Sequence, residues 1–346
     1  MIESPAPPQQ ATGSEQLAAT IAAGDYSSCA ATVVGYGFMG REYVKALRAL
    51  RIDCICVCSR SEERLRPLQG LDGVSTVSGG WQRLARRPEP GELAIVATPT
   101  ELIVPVARHL LATGFTSLLV EKPVSCWPDE IAELDRAASA RGADVACAYN
   151  RVAYPSLYEV KARTQEEGGI TSGSYTFTEF VHQIGPDRFS QYELGRWGIA
   201  NSLHVMSMAH GLIGLPRTWQ SFQAGSGRIV WHPHASIFVG AGVSEAATPF
   251  AYHADWGSTG RWSVEAHTAV SSYRLCPLEK AYRRTSPTGD WVELPIATFA
   301  PEVKVGVLEE VAAMLQPAVR RLIPLVSLRA AAHLARYGED VFGYAR

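Results

Sequence analysis

The sequence predicts an α/β domain built on a parallel sheet, followed by an α+β domain with a mostly antiparallel open sheet. Three observations carry this. Short β-rich runs alternate with helical ones from Ala31 to about residue 150, a glycine-rich turn joins the first run to the first helix, and after Asn150 the β-rich runs crowd together. At 346 residues the chain exceeds the usual single-domain size, which fits two domains.

In order along the chain, MIESPAPPQQATGSEQ has an acid and prolines where a secretory leader needs a basic start and an apolar core, so residues 1–29 read as a flexible arm. In residues 30–150 the candidate strands are ATVVG, CICVC, VSTV, LAIVA, SLLV and DVACA. ELIVPVARHLLATG and DEIAELDRAASARG are apolar at helical spacing and end on glycine, as crossover helices do. Residues 151–346 form the second domain. A helix-like SLYEVKART precedes TSGSYTFTEFVH, HASIFVGAGV, GRWSVEAHTA and SSYRLCPL, whose aromatic and β-branched residues suit an antiparallel sheet. NSLHVMSMAHGLIG interrupts that sheet as a helix. EEVAAMLQPAV and SLRAAAHLARYGEDVF end the chain as helices that can pack back on the first domain.

Composition narrows the function. Apolar residues are 47% and charged residues 19%, and no apolar run is long enough to cross a bilayer. The net charge of −2, with both signs interspersed, leaves no basic stripe for a nucleic-acid backbone. The partner expected is a small-molecule substrate. Cys54, Cys56 and Cys58 alternate on one strand, a spacing that suits neither a CxxC redox pair nor a zinc knuckle, so no metal is expected and a reducing, cytoplasmic compartment is. His232 and His234 in WHPH lack a third ligand at useful spacing.

Gly35, Gly37 and Gly40 form GxGxxG directly between a strand and a helix. The first glycine permits the tight turn, the second lets backbone N–H groups approach a pyrophosphate, and the third lets helix pack on strand. The pattern predicts a Rossmann dinucleotide-binding domain, with Tyr36, Phe38 and Met39 also on the cofactor turn. The second strand ends in Ser59 and Arg60, with Arg64 close behind and no acid before Glu62. A carboxylate there would bind a ribose 2′-hydroxyl and repel a 2′-phosphate, whereas a hydroxyl and guanidinium groups suit the phosphate. NADP(H) is therefore favoured, with NAD(H) possible.

ATPT at residues 97–100, LLVEKPVS around Glu121-Lys122-Pro123 and AYNRVAYPS around Tyr149 and Asn150 follow three successive strands. In this order they resemble the Gfo/Idh/MocA family (glucose-fructose oxidoreductase, inositol dehydrogenase, rhizopine catabolism) over nearly the whole chain after the arm. The resemblance implies cofactor contacts from Thr98, Pro99, Thr100, Glu121, Lys122 and Asn150, and a catalytic Lys122. A lysine at a strand's carboxyl end can hydrogen-bond a carbinol or carbonyl oxygen and stabilise negative charge as hydride moves.

The resemblance also implies an aspartate and, four residues later, a histidine on the long helix of the second domain. His204 and Gly214 match, but Ala200 stands at the aspartate position. Asn201 is one turn before His204 and can orient a substrate without carrying charge. Without the aspartate His204 should titrate lower, and a keto group is left to be reduced with His204, Lys122 or Tyr192 supplying the proton. Tyr149, Arg151, Arg196 and Trp197 join Lys122, Asn201 and His204 as candidate substrate contacts. His210, on another face, reads as structural or exposed, and Asp255, Trp256 and Trp262 as builders of the sheet and a subunit interface.

These features point to an NAD(P)-dependent oxidoreductase moving a hydride between nicotinamide and a sugar, cyclitol or keto-sugar-like substrate, working as an NADPH-dependent reductase. The alternatives are an imine reductase of specialised metabolism, a non-redox glycosidase that retains its dinucleotide, and a non-catalytic nucleotide-binding protein. The open sheet makes a homodimer or homotetramer the expected assembly.

Overall fold

The computed structural model describes residues 11–344 apart from residue 233. Helix α1 (Gly13–Ala22) opens it. A doubly wound unit follows: β1 (Ala30–Val34), α2 (Phe38–Ala49), β2 (Cys54–Ser59), α3 (Glu62–Leu65), β3 (Val74–Ser78), β4 (Leu93–Val96), α4 (Thr100–Thr113), β5 (Ser117–Glu121), α5 (Pro128–Ser139) and β6 (Asp144–Ala148). Next come α6 (Pro155–Glu166), β7 (Ser172–Phe177), α7 (Gln191–Leu194), α8 (Leu203–Ile213), β8 (Pro216–Ala224), β9 (Ile237–Ser244), β10 (Pro249–Asp255), β11 (Trp262–His267), β12 (Ser272–Leu275), β13 (Ala281–Arg284) and β14 (Val292–Leu294). The chain returns through α9 (Val307–Leu315), α10 (Pro317–Leu322), β15 (Val326–Ser327) and α11 (Leu328–Phe342).

The first sheet has the order β15-β6-β5-β4-β1-β2-β3, parallel from β6 to β3. β4 and the outer part of β1 and β5 are buried on both faces, which is why they read as continuous apolar runs. The order reverses between β1 and β4, so their carboxyl ends open the crevice where ligands of such sheets bind. The second sheet runs β14-β13-β12-β11-β7-β10-β9-β8 and is antiparallel except where β10 lies parallel to β7. β7 alternates, with Gly173, Tyr175 and Phe177 on the buried side beneath α8.

Three expectations change. Residues 13–22 are not a flexible arm: Thr12 and Glu15 form a capping box, Leu17 and Ile21 are buried, and Ser14 donates from its N–H and Oγ to Glu159 at 2.8 and 3.0 Å. The arm's first ten residues lie outside the described residues. TSGSYTFTEFVH is a strand only as far as Phe177, and the chain then leaves the sheet. Pro317 splits the penultimate helix into α9 and α10, since it cannot donate to a continuing helix. The return segment also rejoins the first domain: β15 pairs antiparallel with β6, and α9 packs on α2, β5 and β6. Among the described residues no helix is long and apolar enough to cross a membrane.

If α1 is part of the core, Leu17→Ala should destabilise the protein by about 2–4 kcal/mol. Urea unfolding would measure this; an unmoved midpoint would return residues 13–22 to the arm.

Candidate active site

The glycine turn is shaped from both sides. Gly35 has φ +101°, and a Cβ there would lie 2.3 Å from the Ala97 carbonyl oxygen, so strand β1 can approach the end of β4 only with glycine. A Cβ on Gly40 would lie 2.0 Å from the Gly35 oxygen, which makes it the close helix-on-strand contact. Gly37 differs: nothing lies within 4 Å of its would-be Cβ, and it caps α2 without any side-chain bond. The first N–H groups of α2 thus face open space. Beside them Thr98 Oγ1 is buried without a partner. This cradle fits a pyrophosphate and adjoining ribose. Lys304, which no motif marks, donates to Met39 Sδ at 3.2 Å and stands 5.3 Å from the Phe38 ring centre, bringing a cation to the same turn.

At the end of β5, Lys122 reaches across to the second domain and donates from Nζ to the Ala200 carbonyl oxygen at 3.0 Å. The Lys122–Pro123 bond is cis, and Val124 follows with φ +72°, a left-handed conformation unusual for a β-branched residue. Burial lowers the Lys122 pKa while the Glu121 charge opposes the shift. Glu121 in turn accepts from the Tyr43 hydroxyl at 2.7 Å, and that hydroxyl lies 3.0 Å from Glu310 Oε1. Burial pushes both carboxyls up, Glu310 far up, with the Glu121 charge as its second cause.

Ala200 belongs to a π-helical turn, Gly198–Ser202, that leads into α8. The carboxylate missing from position 200 arrives from elsewhere. Glu179, buried just past β7, accepts from Asn201 Nδ2 at 3.0 Å and from Ser202 Oγ at 2.6 Å. Burial raises its pKa against those two hydrogen bonds. His204 is buried, its Nδ1 has no partner among the described residues, and its ring meets Tyr149 edge-on at 6.2 Å. Burial, then the charges of Arg151, Lys122 and Lys304, hold its pKa well below the usual imidazole range. Glu179, Asn201 and Arg151 open onto a cavity of about 350 Å³ walled by Trp197, Trp262 and Phe180.

Residues 30–149 match a family model described as an oxidoreductase family with an NAD-binding Rossmann fold, Gfo/Idh/MocA. The match covers the first domain, which is the nucleotide-binding domain of the Gfo/Idh/MocA oxidoreductase family. The chain is accordingly an oxidoreductase that uses a nicotinamide dinucleotide, NAD(H) or NADP(H). Solved structures repeat the whole fold. An oxidoreductase domain protein from Kribbella flavida is 17% identical with a TM-score of 0.72, over 92% of this chain and 97% of its own. An inositol dehydrogenase homologue from Azotobacter vinelandii, complexed with NADH and myo-inositol, is 14% identical with a TM-score of 0.69, over 92% and 95%. A super-repressor mutant of Gal80p from Saccharomyces cerevisiae reaches a TM-score of 0.72 at 13% identity, over 92% and 95%. Such a range of proteins on one fold leaves the chemistry to be argued from the site. No curated protein matches the sequence.

Several residues that the family resemblance or the chain order put forward are engaged elsewhere. The Tyr192 hydroxyl bonds Ser125 Oγ at 2.8 Å and accepts from the Cys126 N–H at 3.2 Å, and burial raises its pKa to about 12, so it anchors the loop after Pro123. Arg196 is no substrate contact: buried, it pairs with Glu339 and stacks on Trp127 at 3.9 Å, tying the π-helical turn to α11. Asn150 donates to the Val305 carbonyl at 2.8 Å, and Thr100 donates to Glu193 at 2.8 Å, so both side chains also brace the fold. Tyr149 lies buried behind His204, out of a substrate's reach. Ser59 ends β2 as expected, accepting from Gly80 N–H through its carbonyl oxygen, with Arg60 and Arg64 exposed beside it. Tyr36 is buried under the turn, while Phe38 and Pro99 are exposed at its rim. His232 is structural, bonded to the Ala235 carbonyl and the Tyr344 hydroxyl. Trp262 was expected to build the sheet and a subunit interface, yet it lines the cavity.

Because Gly37 faces open space, Gly37→Val should fold with an unchanged melting temperature yet bind dinucleotide at least about tenfold more weakly, the equivalent of about 1.4 kcal/mol. Calorimetric titration against thermal unfolding separates the two. Burial lowers the pKa of His210 and of His232 to about 4. Each therefore contributes stability in full above the unfolded imidazole value of about 6.5, and that stability is lost as pH falls toward about 4. In an NMR titration their ring signals should stay those of neutral imidazole down to about pH 5; movement at pH 6.5 would contradict their burial.

Proposed function

We propose that the chain is an NADPH-dependent reductase of a keto group on a sugar, cyclitol or related polyhydroxylated compound. The position of Lys122 carries the proposal: it leaves the end of β5 beside the glycine cradle and bonds the carbonyl of Ala200, whose neighbour Asn201 lines the aromatic cavity. Its amine thus joins the dinucleotide crevice to the space a substrate would fill.

A reduced nicotinamide, when bound, supplies a hydride to the carbonyl carbon. Lys122 meets the negative charge that grows on the oxygen and passes its Nζ proton to it, leaving an alcohol and a neutral amine that solvent reprotonates. The lowered pKa of Lys122 makes that transfer easier, while the charge of Glu121 keeps the amine from losing its proton beforehand. His204 stays neutral among Arg151, Lys122 and Lys304, so it orients by hydrogen bonding and leaves the acid role to Lys122. Glu179 holds Asn201 in place at the cavity wall. NADPH preference is supported by Ser59 with Arg60 and Arg64, which make no ion pair among the described residues and are free to take a 2′-phosphate.

Lys122→Ala should lower turnover by about 10²-fold or more, the usual scale for a lost general acid, with NADPH affinity nearly intact. Single-turnover kinetics on a panel of keto sugars and keto cyclitols would show it; a variant that turns over like the parent would remove Lys122 from the chemistry. NADPH should bind at least about tenfold more tightly than NADH, the equivalent of about 1.4 kcal/mol, and an Arg60→Ala, Arg64→Ala double variant should erase the difference. Tighter binding of NADH by the parent protein would reverse the cofactor assignment.

A further inference from the structure

The cavity contains a cation that the fold does not pair. Arg151, just after β6, lies with its guanidinium 4.6 Å from the centre of the Trp262 ring and 6.0 Å from that of Tyr154. Its Nε is buried without a hydrogen-bond partner, and no carboxylate comes within ion-pair distance of it among the described residues. The acids that could have served are placed otherwise. Both oxygens of Glu179 are held by Asn201 and Ser202, and Glu279 accepts from the Tyr154 hydroxyl at 3.4 Å. The contrast with Arg196 is direct: that buried guanidinium has Glu339 as its partner. An unpaired charge partly drawn out of water is costly in general, so a fold that keeps one half-buried at a cavity wall leaves room for a compensating anion.

The cavity's other walls say which anion. Arg261 stands exposed at its mouth, adding a second guanidinium, while Glu179 and Glu279 face the same space. Those two acids at the wall repel a doubly charged phosphate more strongly than a monoanion, so a single negative charge suits the cavity better. One face of Arg151 is covered by Trp262, which leaves the edge of the guanidinium plane, whose parallel N–H groups match the two oxygens of a carboxylate. Trp197 and Phe180 offer apolar surface for the C–H face of a ring.

We infer that the cavity takes a carboxylated substrate, of the class of a uronic acid or another polyhydroxylated acid, with its carboxylate seated on Arg151 and Arg261 closing the mouth. The inference rests on the assignment of this cavity as the substrate site, and it is tested without cofactor or turnover. Tryptophan fluorescence of the cofactor-free protein, in which Trp197 and Trp262 report from the cavity walls, would be followed during titration with matched pairs: D-glucuronate against D-glucose, D-galacturonate against D-galactose.

At least one acid should bind tenfold or more tightly than its neutral partner. Arg151→Gln should abolish that preference, with Arg151→Lys restoring part of it, and the melting temperature of Arg151→Gln should hold or rise because no ion pair is broken. Equal binding of acid and neutral sugar, absence of binding by both acids, or a preference that survives Arg151→Gln would overturn the inference. So would quenching by inorganic phosphate as strong as by the acids, which would show a general anion site, or a fall in melting temperature of Arg151→Gln, which would show a structural pair. Lys122→Ala should leave the acid preference in place, so a failure of the catalytic assignment and a failure of this one give different results.

Discussion

One hydroxyl holds the end of β5 to its surroundings. Tyr43 on α2 lies between Glu121 at the end of β5 and Glu310 on α9, all three buried. A phenol has one hydrogen to donate, so two ionised carboxylates cannot both be satisfied by it, and two such charges cannot stand together in a low dielectric. One of them keeps a proton. Burial and the Glu121 charge push the Glu310 pKa far up, which favours the proton there, and as an acid Glu310 can donate to the phenol that donates to Glu121. Glu121 then remains the charged partner beside Lys122. The cofactor helix, the lysine strand and the returning C-terminal segment are fastened at one point, and the same point sets the charge that Lys122 faces.

From there the connection passes to the second domain. Lys122 bonds the Ala200 carbonyl, a π-helical turn carries Ala200 and Asn201, and Arg196 at the start of that turn is pinned by Glu339 of α11. A π-helical turn shifts the register of the carbonyls that follow, which turns that of Ala200 toward a donor outside its helix. The site is thus held by buried polar contacts from several elements, among them β15 and α11, which follow the site in sequence and close the first sheet and the helix layer around it.

What the sequence made legible follows how local each signal is. Gly35 and Gly40 announce themselves because the turn that needs them spans six residues, and Lys122 because its tripeptide ends a strand after that turn. The strands of the first sheet were visible as apolar runs because parallel sheets bury both faces. Glu179 was not visible: its partners Asn201 and Ser202 are more than twenty residues away, and the one trace it leaves is an acid set among aromatic and β-branched residues in TFTEF. Tyr192 and Arg196 carried the right chemistry at the right place in the chain order, but Ser125 and Glu339, unrelated in sequence, claim them. Helix α1 was legible in principle from Thr12 and Glu15, whose capping-box spacing was masked by the proline-rich start before it.

With alanine at position 200 and Glu179 reaching the same turn from another segment, the electrostatics follow from where each charge is used. Glu179 is held by Asn201 and Ser202, and among the described residues the charges that act on His204 are those of Arg151, Lys122 and Lys304. An imidazole among three cations stays neutral and cannot draw a proton from an alcohol and store it as an imidazolium. The same three cations favour an oxygen on which negative charge is growing. In the reduction proposed above, that surplus of positive charge would stabilise the growing alkoxide, and the burial of Lys122 would loosen the proton it gives.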